Sequence, residues 1–306
     1  MDSMMFALLF FFLLTLSSAH AKGEIAVYWG QSIDEGTLTA TCDTGNYQIV
    51  ILAFLITFGC GQTPAWNFDG HCGSESSCHK LQPEIQHCQL KGVKVFLSLG
   101  GHLGRYFLCS PDDADKVADY LYTNFLSGQG GPLGSVKLDG IDFDIEIGSN
   151  LYWDDLARQL NARRQNERYF YLSAAPRCSF PDYYLDMAIS TWLFDYIFVK
   201  FYYPTCQFNS ETGDPTLLTH AWNQWTSHVK PNNKVFMGLV DAGHDGALPY
   251  GYIPPAELCS RILPIINQTR NYGGVMLDRF EDARSGYSHE IKDCVEVGEV
   301  VMASQM

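Results

Sequence analysis

Eight short apolar, β-branched or aromatic runs recur along this chain with helix-like stretches between them, and no other feature narrows the possible folds as much. The runs are Ile25 to Trp29, Ile49 to Phe54, Val93 to Leu99, Gly140 to Asp144, Tyr169 to Ala174, Tyr196 to Phe201, Val235 to Val240 and Gly274 to Leu277. Runs of this kind suit strands covered on both faces, as in a parallel sheet packed under helices. Between the third and fourth, Ser110 and Pro111 read as an N-cap and first helical position, with Ala114, Val117, Ala118, Leu121 and Phe125 following at helical spacing. Tyr152 to Asn161, Trp222 to Val229 and Pro255 to Ile266 read as further helices. The series predicts the α/β class and a single (β/α)8 TIM barrel with disulfide-stapled loops. The rival, an open doubly wound sheet, lacks a GxGxxG turn after the first strand.

Met1 to Ala21 carries an apolar run from Met4 to Leu16 and ends in Ala19, His20, Ala21, the small-residue cleavage pattern of a secretory signal peptide, although Asp2 stands where a basic residue is usual. Its removal leaves residues 22–306 as one barrel domain. Ten cysteines behind a secretion signal imply an oxidising compartment and several disulfides. No paired CxxC, HExxH or EF-hand spacing occurs, so neither a metal nor a cofactor is expected. A formal charge of −14 argues against nucleic acid or an anionic membrane surface as partner, because phosphate needs a basic face. No stretch after the leader reads as a membrane span.

Residues 139 to 146 read DGIDFDIE. In a strand, alternation puts Asp142, Asp144 and Glu146 on one face and Ile141, Phe143 and Ile145 on the other. If both faces are covered, the acids lie in low dielectric, where crowded carboxyls cannot all ionise and at least one keeps a proton. That is the equipment for cleaving a glycosidic bond, with Glu146, the longest and last, as proton donor. In a barrel the C-terminal strand ends carry the active site, which puts Glu146 at the catalytic rim. Asp139, at the opposite end of the strand, reads as structural.

IAVYWGQ, EGTLTATC, GVKVFLSLGG, LDGIDFDIE, LYWDDLARQL, SAAPRCSFPD, GYIPPAEL and YGGVML, spread over residues 25 to 277, make the chain similar to the plant class III chitinases of glycoside hydrolase family 18, the hevamine-like group. The resemblance implies retaining hydrolysis of β-1,4-linked N-acetylglucosamine polymers, in which the substrate's own acetamido carbonyl replaces a protein nucleophile. Carried over by position, Glu146 protonates the leaving oxygen and Asp144 orients the acetamido group. Asp142 shares a proton with Asp144 and lets it turn, and Tyr202 donates to the attacking carbonyl. Read without the resemblance, Tyr202 is a rim tyrosine bonded to a nearby carbonyl. The resemblance also implies disulfides Cys42 with Cys88, Cys72 with Cys78, and Cys178 with Cys206. Among the remaining cysteines, Cys60 with Cys109 and Cys259 with Cys294 are open pairings. It further implies a secreted protein of the apoplast or vacuole, monomeric, with a role in plant defence and chitin oligomers as ligand.

The chain departs from that group at several points of the same rim. Where the group reads QFYN on the sixth strand, this chain has Lys200, Phe201, Tyr202 and Tyr203. Lys200 either faces the interior beside Asp144 and Glu146, where an ammonium favours ionised carboxylates and starves the acid catalyst, or snorkels to the rim. The Trp that follows YGGVML in the group is deleted, with Asp278, Arg279 and Phe280 next in line and Phe280 a candidate replacement. A third glycine of the group is His102, which either fills a subsite or stands in solvent. Phe54, His102, Lys200, Tyr203 and Asp278 are therefore the substrate-binding or altered-subsite positions. Two functions fit: an endochitinase, or a catalytically impaired relative acting as a xylanase inhibitor on a microbial xylanase, a lectin-like protein or a storage protein.

Overall fold

A computed structural model describes residues 22–72, 78–240, 251–278 and 286–296. The expected leader, and Arg279 and Phe280, lie outside them. The barrel strands are β1 (Glu24–Trp29), β2 (Ile49–Phe58), β3 (Lys94–Gly101), β4 (Gly140–Ile145), β5 (Tyr171–Ala174), β6 (Tyr196–Lys200), β7 (Lys234–Leu239) and β8 (Tyr272–Leu277). Each pairs in parallel with its neighbours in chain order, and β1 pairs with both β2 and β8, so the sheet closes. The (β/α)8 barrel expected from the eight runs is the fold.

Two layers of apolar packing hold it. Outward side chains such as Ile141, Phe143 and Ile145 join the layer between strands and helices. There Phe143 meets Phe194 edge-on at 5.2 Å, and burying one such ring contributes about 2–3 kcal/mol. Inward side chains form a second cluster: Ala26, Tyr28, Ile51, Phe96, Tyr196, Phe198, Phe236 and Met276. Above this aromatic floor the inward positions turn polar, with Ser98, Asp142, Asp144, Ser173 and Lys200 all buried.

Helices cover the outside, among them Leu81–Leu90, Pro111–Leu121, Trp153–Asn166, Thr216–His228 and Tyr287–Glu296. Ser110 caps the second of these through Asp113 N, with Pro111 in its first turn. The segment expected as one helix from Pro255 to Ile266 is broken: its middle, Leu258–Ile262, is a wider π-turn. Pro264 in the following piece lacks an N–H and cannot continue a regular ladder. The strand expected from Tyr169 begins at Tyr171, because Tyr169 turns outward and donates to Asp195. Asp139 is structural, its Oδ2 accepting from Val95 N and Gln89 Nε2 at the bottom of the barrel. Disulfides join Cys42–Cys88, Cys60–Cys109, Cys72–Cys78, Cys178–Cys206 and Cys259–Cys294.

Candidate active site

The register of β3, β4 and β5 sets Ser98 and Ser173 on either side of Asp142, and Gly100 beside Asp144. Gly100 has φ +106, and a Cβ there would stand 2.4 Å from Asp144 O, so only glycine lets β3 lie this close to the acid strand. Asp142 is fully buried and accepts three hydroxyls: Ser173 on Oδ1 at 2.7 Å, and Ser98 at 2.7 Å and Tyr28 at 2.8 Å on Oδ2. Burial raises its pKa above the usual carboxylate value, with these donors opposing. Asp142 thus sits in a hydroxyl cage, and Asp144 offers its Oδ1 to a partner of its own.

That partner is Lys200. Its side chain is 3% exposed, and its Nζ lies 2.5 Å from Asp144 Oδ1 and 3.0 Å from Glu146 Oε1. Of the two orientations open to Lys200, the interior one is realised. Residue 238, opposite Lys200 on β7, is glycine, with no side chain to compete for this space. Glu146 is clamped further: Tyr203 donates to its Oε2 at 2.8 Å, and Arg177, lying 4.8 Å over the Tyr203 ring, stands 3.7 Å from the same oxygen. Its backbone is fixed as well. Tyr106 donates to Gly101 O at 2.6 Å and its hydroxyl accepts from Glu146 N and Ile147 N.

These contacts separate the two upper acids. Burial pushes Asp144 well above the carboxylate range, the nearby Glu146 and Asp142 add to this, and Lys200 opposes it. Burial also pushes Glu146 upward, but Lys200, the Tyr203 hydroxyl and Arg177 outweigh it and leave Glu146 below its usual value. Burial would strip Lys200 of its proton, yet the two carboxylates raise it above an ordinary lysine, so it stays an ammonium. The surroundings of Glu146 therefore favour its ionised form, the form that cannot donate a proton.

A cavity of ≈ 230 Å³ opens above, lined by Gln31, Phe54, His102, Asp144, Glu146, Tyr202, Tyr203 and Asp278. It is smaller than the roughly 300–1,000 Å³ of pockets for drug-sized ligands, which suits one sugar unit. His102 is exposed at its mouth, and Phe54 is buried to 9% exposure. Tyr202 reaches the cavity, but its hydroxyl donates to Asp278 Oδ1 at 2.6 Å and so meets a carboxylate across the barrel mouth. Burial, then Asp278, raises its pKa well above that of a free phenol. Sequence reasoning brought together Asp142, Asp144, Glu146, Tyr202, Lys200, Tyr203, His102, Phe54 and Asp278, and it missed Tyr28, Ser98, Ser173, Tyr106, Arg177 and Gln31. Polar residues at inward positions of apolar strands, as in VFLSLGG and YLSAA, were the available signal for the two serines.

The family model for glycosyl hydrolases family 18 matches residues 24–282. The chain belongs to that family. It is 51% identical over 288 residues to an acidic endochitinase of Cicer arietinum, covering 92% of this chain and 95% of the relative. The solved ICChI chitinase from Ipomoea carnea aligns with a TM-score of 0.82 at 47% identity, covering 89% of this chain and 100% of that one. A xylanase and α-amylase inhibitor protein from Scadoxus multiflorus aligns with a TM-score of 0.81 at 42% identity, covering 89% and 98%. The tamarind chitinase-like lectin aligns with a TM-score of 0.77 at 41% identity, covering 88% and 99%. The family thus contains endochitinases, inhibitors and lectins on one barrel, and the fold alone does not choose among them.

Proposed function

We propose that this protein binds chitin-type β-1,4-linked glycans in the barrel mouth without turning them over efficiently. The observation that carries the reading is the Lys200 ammonium between Asp144 and Glu146. Substrate-assisted cleavage needs Glu146 protonated and Asp144 free to meet the acetamido group. Lys200, Tyr203 and Arg177 hold Glu146 ionised, and Lys200 holds Asp144. The acids that the family uses are thus in place, but the one that has to donate a proton is held in its ionised form. The aromatic wall of Phe54, Tyr202 and Tyr203 remains to pack on a sugar ring, and the chitinase relatives support chitin as the glycan.

The relationship to a xylanase and α-amylase inhibitor protein supports a second reading, in which a microbial xylanase is the partner. The sequence of residues 1–21 and the five disulfides support a secretory route to the apoplast or vacuole, with 22–306 as the mature domain. The test incubates the mature protein with N-acetylglucosamine tetramers to hexamers and follows products by chromatography, with binding measured in parallel by calorimetry. Binding without products is expected. Turnover at the rate of an active acidic endochitinase run alongside would refute the proposal.

A further inference from the structure

Asp278 leaves the end of β8 with its N–H donating to Leu239 O at 3.0 Å, which fixes its backbone against β7. From there its carboxylate lines the cavity and takes the Tyr202 hydroxyl at 2.6 Å. The Tyr202 backbone is closely packed. Gly251, with φ +80, packs so closely behind it that an added Cβ would stand 2.5 Å from Tyr202 Cα. Among the described residues no Lys, Arg or His lies within ion-pairing distance of Asp278, whereas Glu146 and Asp144 share Lys200.

Two further donors on the wall are also committed, while His102 stands exposed at the mouth. The Gln31 Nε2 amide donates to Gly30 O at 3.0 Å and Ala53 O at 2.6 Å, and Tyr203 donates to Glu146. Lys200 lies behind the carboxylates and is not part of the lining. Inside the mouth, where Asp278, Glu146 and Asp144 lie, the wall therefore presents carboxylate oxygen to a ligand. An acetamido carbonyl, itself an acceptor, has to displace Asp278 from Tyr202 to be bonded there. An ammonium brings three donors and a charge to the same place.

We infer that Asp278 is a specificity-determining residue that makes this cavity prefer a sugar unit with a free ammonium, such as a glucosamine unit, over its N-acetylated counterpart. This rests on the glycan-binding reading above. The test is an NMR titration at pH 6 with methyl β-glucosaminide and methyl N-acetyl-β-glucosaminide, each a single unit, so that general attraction of polycations to an acidic protein does not enter. At that pH the amine is charged, since such an amine titrates near the α-amino value of about 7.7–8.

The free amine is expected to bind about tenfold more tightly or better, as a charge-assisted hydrogen bond allows. Asp278→Asn should abolish that preference. Asp119→Asn, which removes the same charge from an exposed position on the helix Pro111–Leu121, should leave it unchanged. Equal or tighter binding of the acetylated sugar, or a preference that survives Asp278→Asn, overturns the inference while glycan binding stands. Binding of neither sugar overturns both.

Discussion

Replacing Lys200 by glutamine tests the reading of the acid pair most directly. The Nζ to Glu146 Oε1 distance of 3.0 Å corresponds to a Coulomb attraction of about 5–6 kcal/mol at an effective dielectric of about 20. Taken whole, that is about 4 pKa units at about 1.4 kcal/mol each. Glu146 keeps 11% of its side chain exposed at the cavity floor, where water and Arg177 recover part of the loss. A rise of about 1–3 units is the expected range for losing one close opposite charge. Above its pKa, each unit multiplies the protonated fraction about tenfold, so turnover of N-acetylglucosamine hexamers at pH 6 should rise about 10- to 1,000-fold. The alkaline limb of the pH profile should move up by the same 1–3 units. Lys200→Met, which adds no hydrogen bond of its own, should behave alike, and Glu146→Gln in either background should abolish the gain. Folded Lys200→Gln and Lys200→Met proteins that show neither turnover nor a shifted profile would mean that the ammonium does not silence this site.

Removing the hydroxyl in Tyr203→Phe deletes a hydrogen bond to a carboxylate, so the Glu146 carboxyl followed by carbon-13 NMR should titrate about 1–2 units higher; an unmoved titration refutes the clamp. Because the folded pKa of Glu146 is depressed, its stabilising contribution is complete above the unfolded value of about 4.3 and is lost as pH falls through the folded one. The melting-temperature advantage of the wild type over Glu146→Gln should therefore be largest near pH 6 and shrink toward pH 3, and a gap constant over that range would contradict the assignment. The Cys60–Cys109 bridge closes a separation of 49 residues, and Asp113 accepts from both flanking N–H groups. Exchanging both cysteines for serine should cost about 2–4 kcal/mol in urea unfolding, and a loss below about 1 kcal/mol would show that the loop holds without it.

The parts of this structure that were legible in the sequence are those governed by a strict local period. Alternation in a strand is two residues, so the inward set of β4 followed from DGIDFDIE, and the two-residue offset of Lys200 from Tyr202 offered the interior as one of two orientations for that lysine. Such inference stops at the strand end. His102, Tyr203 and Asp278 sit in turns, where direction depends on which other turn the chain meets. The destination of the Tyr202 hydroxyl was invisible for that reason: it joins the end of β6 to the end of β8, 76 residues apart, across the barrel mouth. Tyr106, Arg177 and Tyr28 were missed for a related reason, since each reaches the acids from another strand or loop.

The two departures from the group's pattern, Lys200 on β6 and Asp278 after β8, engage different groups around one cavity. Lys200 pairs with Asp144 and Glu146, and Asp278 takes the Tyr202 hydroxyl. Either change alone would leave half of the substrate-assisted mechanism usable, because a protonated Glu146 can work with a weakly held acetamido group and a free Tyr202 can hold one beside an ionised acid. Together they leave a cavity with an aromatic wall and carboxylate oxygens at its surface, which under the proposed function retains the means to hold a sugar while both groups needed to break its linkage are engaged elsewhere.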